Sequence, residues 1–160
     1  MSQTLEITNI LDFMKTHLVD VFETMLAIKA TEALNAPAPH YADRVSGSVG
    51  FAGDTVNGAV YLHLSTPFAN QAAAAMLGLP PEEIKNEAEV NDVVGEVTNM
   101  VAGGLKSWLC DAGADCAMST PAIIRGTSFA IEPMPDVQHS FLVFNCGNEH
   151  VMVEIHVKFN

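Results

Sequence analysis

Apolar residues recur along this chain with two periods, and the changes of period divide it into elements. Leu11, Met14, Leu18, Val21, Met25 and Ile28 alternate spacings of three and four, which predicts an amphipathic helix from about Asn9 to Leu34. Pro37 and Pro39 cannot continue a helix and close that segment. SGSVGFAG and GAVYLHLS then read as two short strands joined by a turn at Asp54 to Gly58. Phe68 to Leu77 is an Ala-rich helix stopped by Gly78 and Pro80, and a longer helix runs from about Glu87 to Cys110. Ile123 to Ile131 and Ser140 to Cys146 read as strands. From His150 to Phe159 the alternation is strict, with Val151, Val153, Ile155 and Val157 on one side and Met152, Glu154, His156 and Lys158 on the other. That predicts a half-buried antiparallel strand after a CGNE turn.

Helices at the front and hairpin-paired strands behind them predict an α+β fold, an antiparallel sheet with helices packed on one face. No charge run or low-complexity linker divides the chain, so residues 1–160 are expected to form a single domain. Hydrophobic residues make up 49% and charged residues 16%, a composition that packs rather than one that stays disordered. A net charge of −12 argues against nucleic-acid and anionic-membrane partners, which need basic patches. Cys110, Cys116 and Cys146 are odd in number and contain no Cys-x-x-Cys, which suits a reducing compartment. MSQTLEITNILDF lacks a basic start and meets Glu6 early, and no apolar run approaches membrane length. A cytoplasmic protein is expected.

Within the long helix, NDVVGEVTNMVAG places Asp92, Glu96, Asn99 and Gly103 at i, i+4, i+7 and i+11. At roughly 100° per residue they fall within about 60° of one another. Val90, Val94, Val97, Val101, Leu105 and Trp108 form the opposite stripe. A solvated face normally carries Lys, Arg and Glu, but this one has no basic residue before Lys106 and includes Gly95, Gly103 and Gly104. Each mid-helix Gly costs about 1 kcal/mol relative to Ala. The pattern suggests a helix flattened for close approach of another surface, although residue types alone leave an ordinary solvated face open.

Other constellations are weak. His17, His40, His63, His139, His150 and His156 make no His-x-x-x-His pair, and His150 and His156 would stand about 20 Å apart on a strand. They read as surface or strand-face residues, and no metal site is expected. No Gly-x-Ser-x-Gly frames a nucleophile, Cys116 and Cys146 read as small core residues, and Asp54 and Asn57 as turn formers.

The segment DVVGEVTNMVAGGL is similar to the signature helix of the CheC/CheX family of bacterial chemotaxis phosphatases. That pattern has an acidic or Ser residue, three residues, Glu, two residues, Asn, and a Pro a little over twenty residues on. Asp92, Glu96, Asn99 and Pro121 match it. FAGDTVNGAVYLHLSTPF resembles the family's hairpin and helix start, and STPAIIRG its post-helix strand. One such helix rather than two resembles the CheX-like branch.

The resemblance implies removal of the aspartyl phosphoryl group from a CheY-type response regulator. The regulator's own Mg²⁺ and Lys stabilise the transferring group, so the phosphatase needs no cofactor and has only to hold a water in line. Asn99 offers an amide acceptor and donors without a repelling charge, and Glu96 would pair with the regulator's Lys. Asp92, Gly95 and Gly103 would line the partner surface, Asp92 by capping, by orienting Glu96 or through its charge alone. A non-catalytic module that docks a receiver domain through the same ridge is the competing class. CheX-like proteins also form two-fold dimers through sheet strands. The terminal strand is long and contains no Pro or Gly to blunt an edge, so a homodimer is expected. If Ser140 to Cys146 covers that edge, a monomer is expected instead.

Overall fold

In the computed structural model, which describes residues 4–160, three helices lie on one face of a seven-stranded antiparallel sheet. The first three residues of the stretch weighed as a leader lie outside the described residues. Helix α1 (Ile7–Val21) buries Ile10, Met14, Leu18 and Val21. It ends earlier than the expected Leu34. The next turn, Phe22–Leu26, is widened to the π form, and Ala27 adopts a left-handed conformation at φ 54°. The Ile28 amide donates back to the Phe22 carbonyl, closing the end. The widened turn shifts the helical face by one residue, so Phe22 and Leu26 enter the core and Met25 is exposed.

Strand β1 (Thr31–Glu32) is followed by the hairpin of β2 (Arg44–Ala52) and β3 (Val56–Ser65), whose loop is shorter than expected and leaves Asn57 paired with Ala52. Helix α2 (Thr66–Leu77) starts at Ser65, whose hydroxyl accepts from the Phe68 amide, and stops at Gly78 with φ 69°. Helix α3 (Glu87–Asp111) starts at Asn86, whose side chain accepts from the Glu89 amide. The short β4 (Ala117–Met118) and β5 (Ala122–Gly126) follow, then β6 (Gln138–Cys146) and β7 (Glu149–Phe159). The expected strand to Ile131 ends at Gly126, because the chain bends away and Ser128 turns left-handed at φ 46°.

The strand order is β1-β6-β7-β3-β2-β4, with β5 also pairing β2. The terminal strand is therefore central, between β6 and β3, and not an edge. The register puts Val45, Val49, Val60, Leu62, Leu142, Phe144, Val153 and Ile155 on the helix-covered face, all buried. α3 seats directly on β2, where a Cβ at Gly47 would collide with Thr98. The other face of β7 was expected to be polar and wet, yet Met152 and His156 are buried too. Tyr41 and Phe129, from segments between elements, lie against this face: Tyr41 donates to the His63 and His150 carbonyls, and Arg44 stacks over Phe129.

Candidate functional site

The stripe of α3 expected in the core is there: Val90, Val94, Val97, Val101, Leu105 and Trp108 are all buried. The same rotation turns Asp92 and Glu96 outward and exposed, with Asn99 and Gly103 partly exposed. Glu96 and Asn99 line one groove of about 530 Å³ together with Lys106, Ala117, Met118, Ser119, Thr120 and Pro121.

The opposite wall of the groove is built by a chain reversal. At the end of α3 the Gly113 amide donates to the Cys110 carbonyl and the Ala114 amide to the Leu109 carbonyl, which turns the backbone back along the helix. Ser119 fixes this returning segment to β2: its amide donates to the Gly50 carbonyl at 2.8 Å, and its hydroxyl accepts from the Gly50 amide at 2.8 Å. Arg125 ties β5 to the start of α3 through Asn91 Oδ1 at 2.8 Å. The groove is therefore held between two rigid walls.

The three helix glycines have separate reasons. Gly95, expected to face a partner, is buried, and its Cβ position meets Pro121 and Ile123 at 3.6 and 3.8 Å. A Cβ at Gly104 would run into His17 of α1, whose ring Nε2 lies 3.1 Å from the Met100 carbonyl oxygen. Only Gly103 has open space, with nothing within 4 Å of its Cβ position. Pro121 thus both packs on α3 and lines the groove. Among the described residues, neither Glu96 nor Asn99 makes a side-chain hydrogen bond or ion pair within the chain.

A second polar cluster, missed in the sequence, lies on the far side of the sheet. Ser46 Oγ is 2.6 Å from His63 Nδ1, His63 Nε2 is 3.0 Å from Glu154 Oε1, and His156 Nε2 is 2.7 Å from Glu154 Oε2. Burial pushes the Glu154 carboxyl up, but the hydrogen bonds and charges of the two histidines outweigh it and hold the group below its usual 4.5. The ionised carboxylate accepts from both Nε2–H groups, and Ser46 Oγ completes the chain of contacts at His63 Nδ1. The residue types are those of a Ser-His-acid hydrolase. The geometry is not: Ser46 and His63 are wholly buried, and His63 turns Nδ1 rather than Nε2 to the serine. The signal available in the sequence was that His63 and His156 fall on the polar parity of their strands. Cys146 is likewise a core residue, its thiol pushed up to about 12 by burial, while Cys116 is only half-buried.

The fold and its exposed Glu-x-x-Asn helix define a class of chemotaxis proteins. The chain is similar to chemotaxis protein CheX from Vibrio vulnificus, at 27% identity and TM-score 0.81 over 97% of this chain and 100% of that one. It is similar to a CheC-like superfamily protein from Shewanella sp. PV-4, at 28% identity and TM-score 0.79 over 98% and 99%. It shares its fold with the CheX of a CheX–CheY–BeF₃–Mg²⁺ complex from Borrelia burgdorferi, at 22% identity and TM-score 0.74 over 95% and 97%. No curated protein sequence matches the chain. The sequence profile of chemotaxis phosphatase CheX matches residues 45–145, and the chain belongs to the CheX family.

Proposed function

We propose that this chain removes the phosphoryl group from the active-site aspartate of a CheY-type response regulator, with Asn99 positioning the attacking water and Glu96 docking the regulator's Lys. The observation that carries the reading is the shared groove of Glu96 and Asn99 on α3, both without a side-chain hydrogen bond or ion pair among the described residues. An aspartyl phosphate is already activated, and a receiver brings its own Mg²⁺ and Lys, so the phosphatase contributes geometry. A neutral amide can accept from a water and donate to a phosphoryl oxygen without electrostatic repulsion. Glu96, one turn back on the same ridge, has the charge to take an ammonium and set the register. Exposed Asp92 and open Gly103 extend the docking surface, and Gly103 lets a partner backbone come close. The Borrelia CheX, which has this fold, is held with CheY, BeF₃ and Mg²⁺ in its structure.

The test is dephosphorylation of phosphorylated receivers in solution. Asn99→Ala lowers the rate at least tenfold, about 1.4 kcal/mol of barrier, while binding to a beryllofluoride-loaded receiver stays within twofold. Glu96→Ala weakens that binding. A wild-type rate from Asn99→Ala overturns the catalytic assignment and leaves a docking module.

We also propose that the protein is cytoplasmic and forms a two-fold homodimer, although β6 covers the terminal strand, the arrangement for which a monomer was expected, so the seam lies at another edge. β7 is occupied on both sides, whereas among the described residues β6 is met on its outer side by β1 at Phe144 and Asn145 and by the Ala33 amide at the Val143 carbonyl. The outer edge of its first half, beside exposed Phe141, is free to pair with the same edge of a second copy. Light scattering at micromolar concentration gives twice the chain's 17.1 kDa if this holds and the single mass if it does not.

A further inference from the structure

We propose that Lys106 is a specificity-determining docking residue that takes a carboxylate of the receiver, making the groove a two-point, opposite-sign reader of its partner. The inference rests on the docking reading above. Among the described residues, Lys106 is the one cationic side chain lining the groove that holds Glu96 and Asn99. It is partly buried there, and among the described residues it has no ion-pair partner. Lys106 stands two turns C-terminal to Asn99 on the same face of α3, with Gly103 in the lane between them. At Gly103 nothing lies within 4 Å of the Cβ position, which leaves that lane unobstructed.

The spacing decides what Lys106 meets. Seven residues of rise put it about 10 Å along the axis from Asn99, too far to share the group that Asn99 addresses. Its partner is therefore a separate anionic side chain and not the phosphoryl oxygens. Ten residues separate Lys106 from Glu96, about 15 Å of rise. A receiver with a Lys and a carboxylate at that separation satisfies both contacts, and one with a basic residue opposite Lys106 is repelled. On a chain of net charge −12, this cation sets both register and partner choice.

The test measures Kd for a beryllofluoride- and Mg²⁺-loaded CheY-type receiver, and kcat on its phosphorylated form, for Lys106→Glu, Lys106→Gln and the remote control Lys158→Glu. Lys106→Glu raises Kd at least fivefold at low salt, Lys106→Gln raises it less, and the loss shrinks as salt rises. At saturating receiver kcat stays within twofold, and Lys158→Glu changes neither quantity. A Kd within twofold of the parent for Lys106→Glu overturns the assignment, as does a fall in kcat at unchanged Kd, which would place Lys106 at the reacting group. Glu96→Ala, measured alongside, separates the two levels: if it too leaves Kd unchanged, the docking surface itself is wrongly placed.

Discussion

Two polar clusters on opposite sides of the sheet carry opposite lessons. Ser46, His63, Glu154 and His156 have the residue types of a hydrolase, and their hydrogen bonds satisfy one another behind buried surface. Glu96 and Asn99 are one acid and one amide on a helix, and neither has a side-chain partner among the described residues. A polar group whose bonding capacity is met internally stabilises the fold, while one left open in an accessible groove is available to a ligand. Access and unmet hydrogen bonds, rather than residue type, separate the proposed site from the scaffold.

That contrast can be broken at several strengths. The largest effect belongs to the stripe beneath the ridge. Val101 is fully buried, and Val101→Asp places an unpaired charge in the core, which costs about 4 kcal/mol or more in a urea titration. The exposed counterpart Asp92→Ala stays within about 0.5 kcal/mol. If the two variants unfold alike, the assignment of the helix faces is wrong.

Next comes the buried cluster. Glu154→Ala strands the His63 and His156 N–H donors and costs about 3 kcal/mol, while phosphatase activity per folded molecule is unchanged. Activity lost at unchanged stability would make the cluster a working site and reverse the comparison. Acid sharpens it further. Because the Glu154 carboxyl is held below 4.5, its ionised form adds stability that is fully present above that pH and is lost as pH falls through the folded value. Glu154→Gln removes that dependence, so its stability gap from the parent narrows below about pH 4.5. Smallest in stability but largest in rate, Asn99→Ala leaves the unfolding midpoint unchanged and lowers turnover as stated above.

The ridge was legible because a helix repeats locally: spacing alone separates Glu96 and Asn99 from Val97 and Val101. The stop at Gly78 was readable for the same reason. What was lost is non-local. Met25 and Ile28 continue the stripe of α1 in sequence, but one widened turn at Phe22–Leu26 hands the core to other residues. Gly104 reads like Gly103, and only the crossing of α1 shows that His17 fills the space above it. Alternation in β7 fixed which side chains share a face but not which strands flank it, so a central strand passed for an edge. The wet face expected for His156 is closed by rings on the two neighbouring strands, Tyr61 and His139, with centroids 5.0 and 5.9 Å from its own.

The central position of β7 also bears on how the protein is made. Its register joins Val56 to Phe159, about a hundred residues apart, and inserts between two strands synthesised earlier. The β2–β3 hairpin and the helices can form while the ribosome is still working, but the sheet cannot close until residues 149–159 emerge. Until then β3 and β6 each present an unpaired edge, the kind of surface on which nascent chains associate wrongly. Such long-range closure slows folding, and it leaves the nascent chain dependent on the eleven-residue β7 for a continuous sheet.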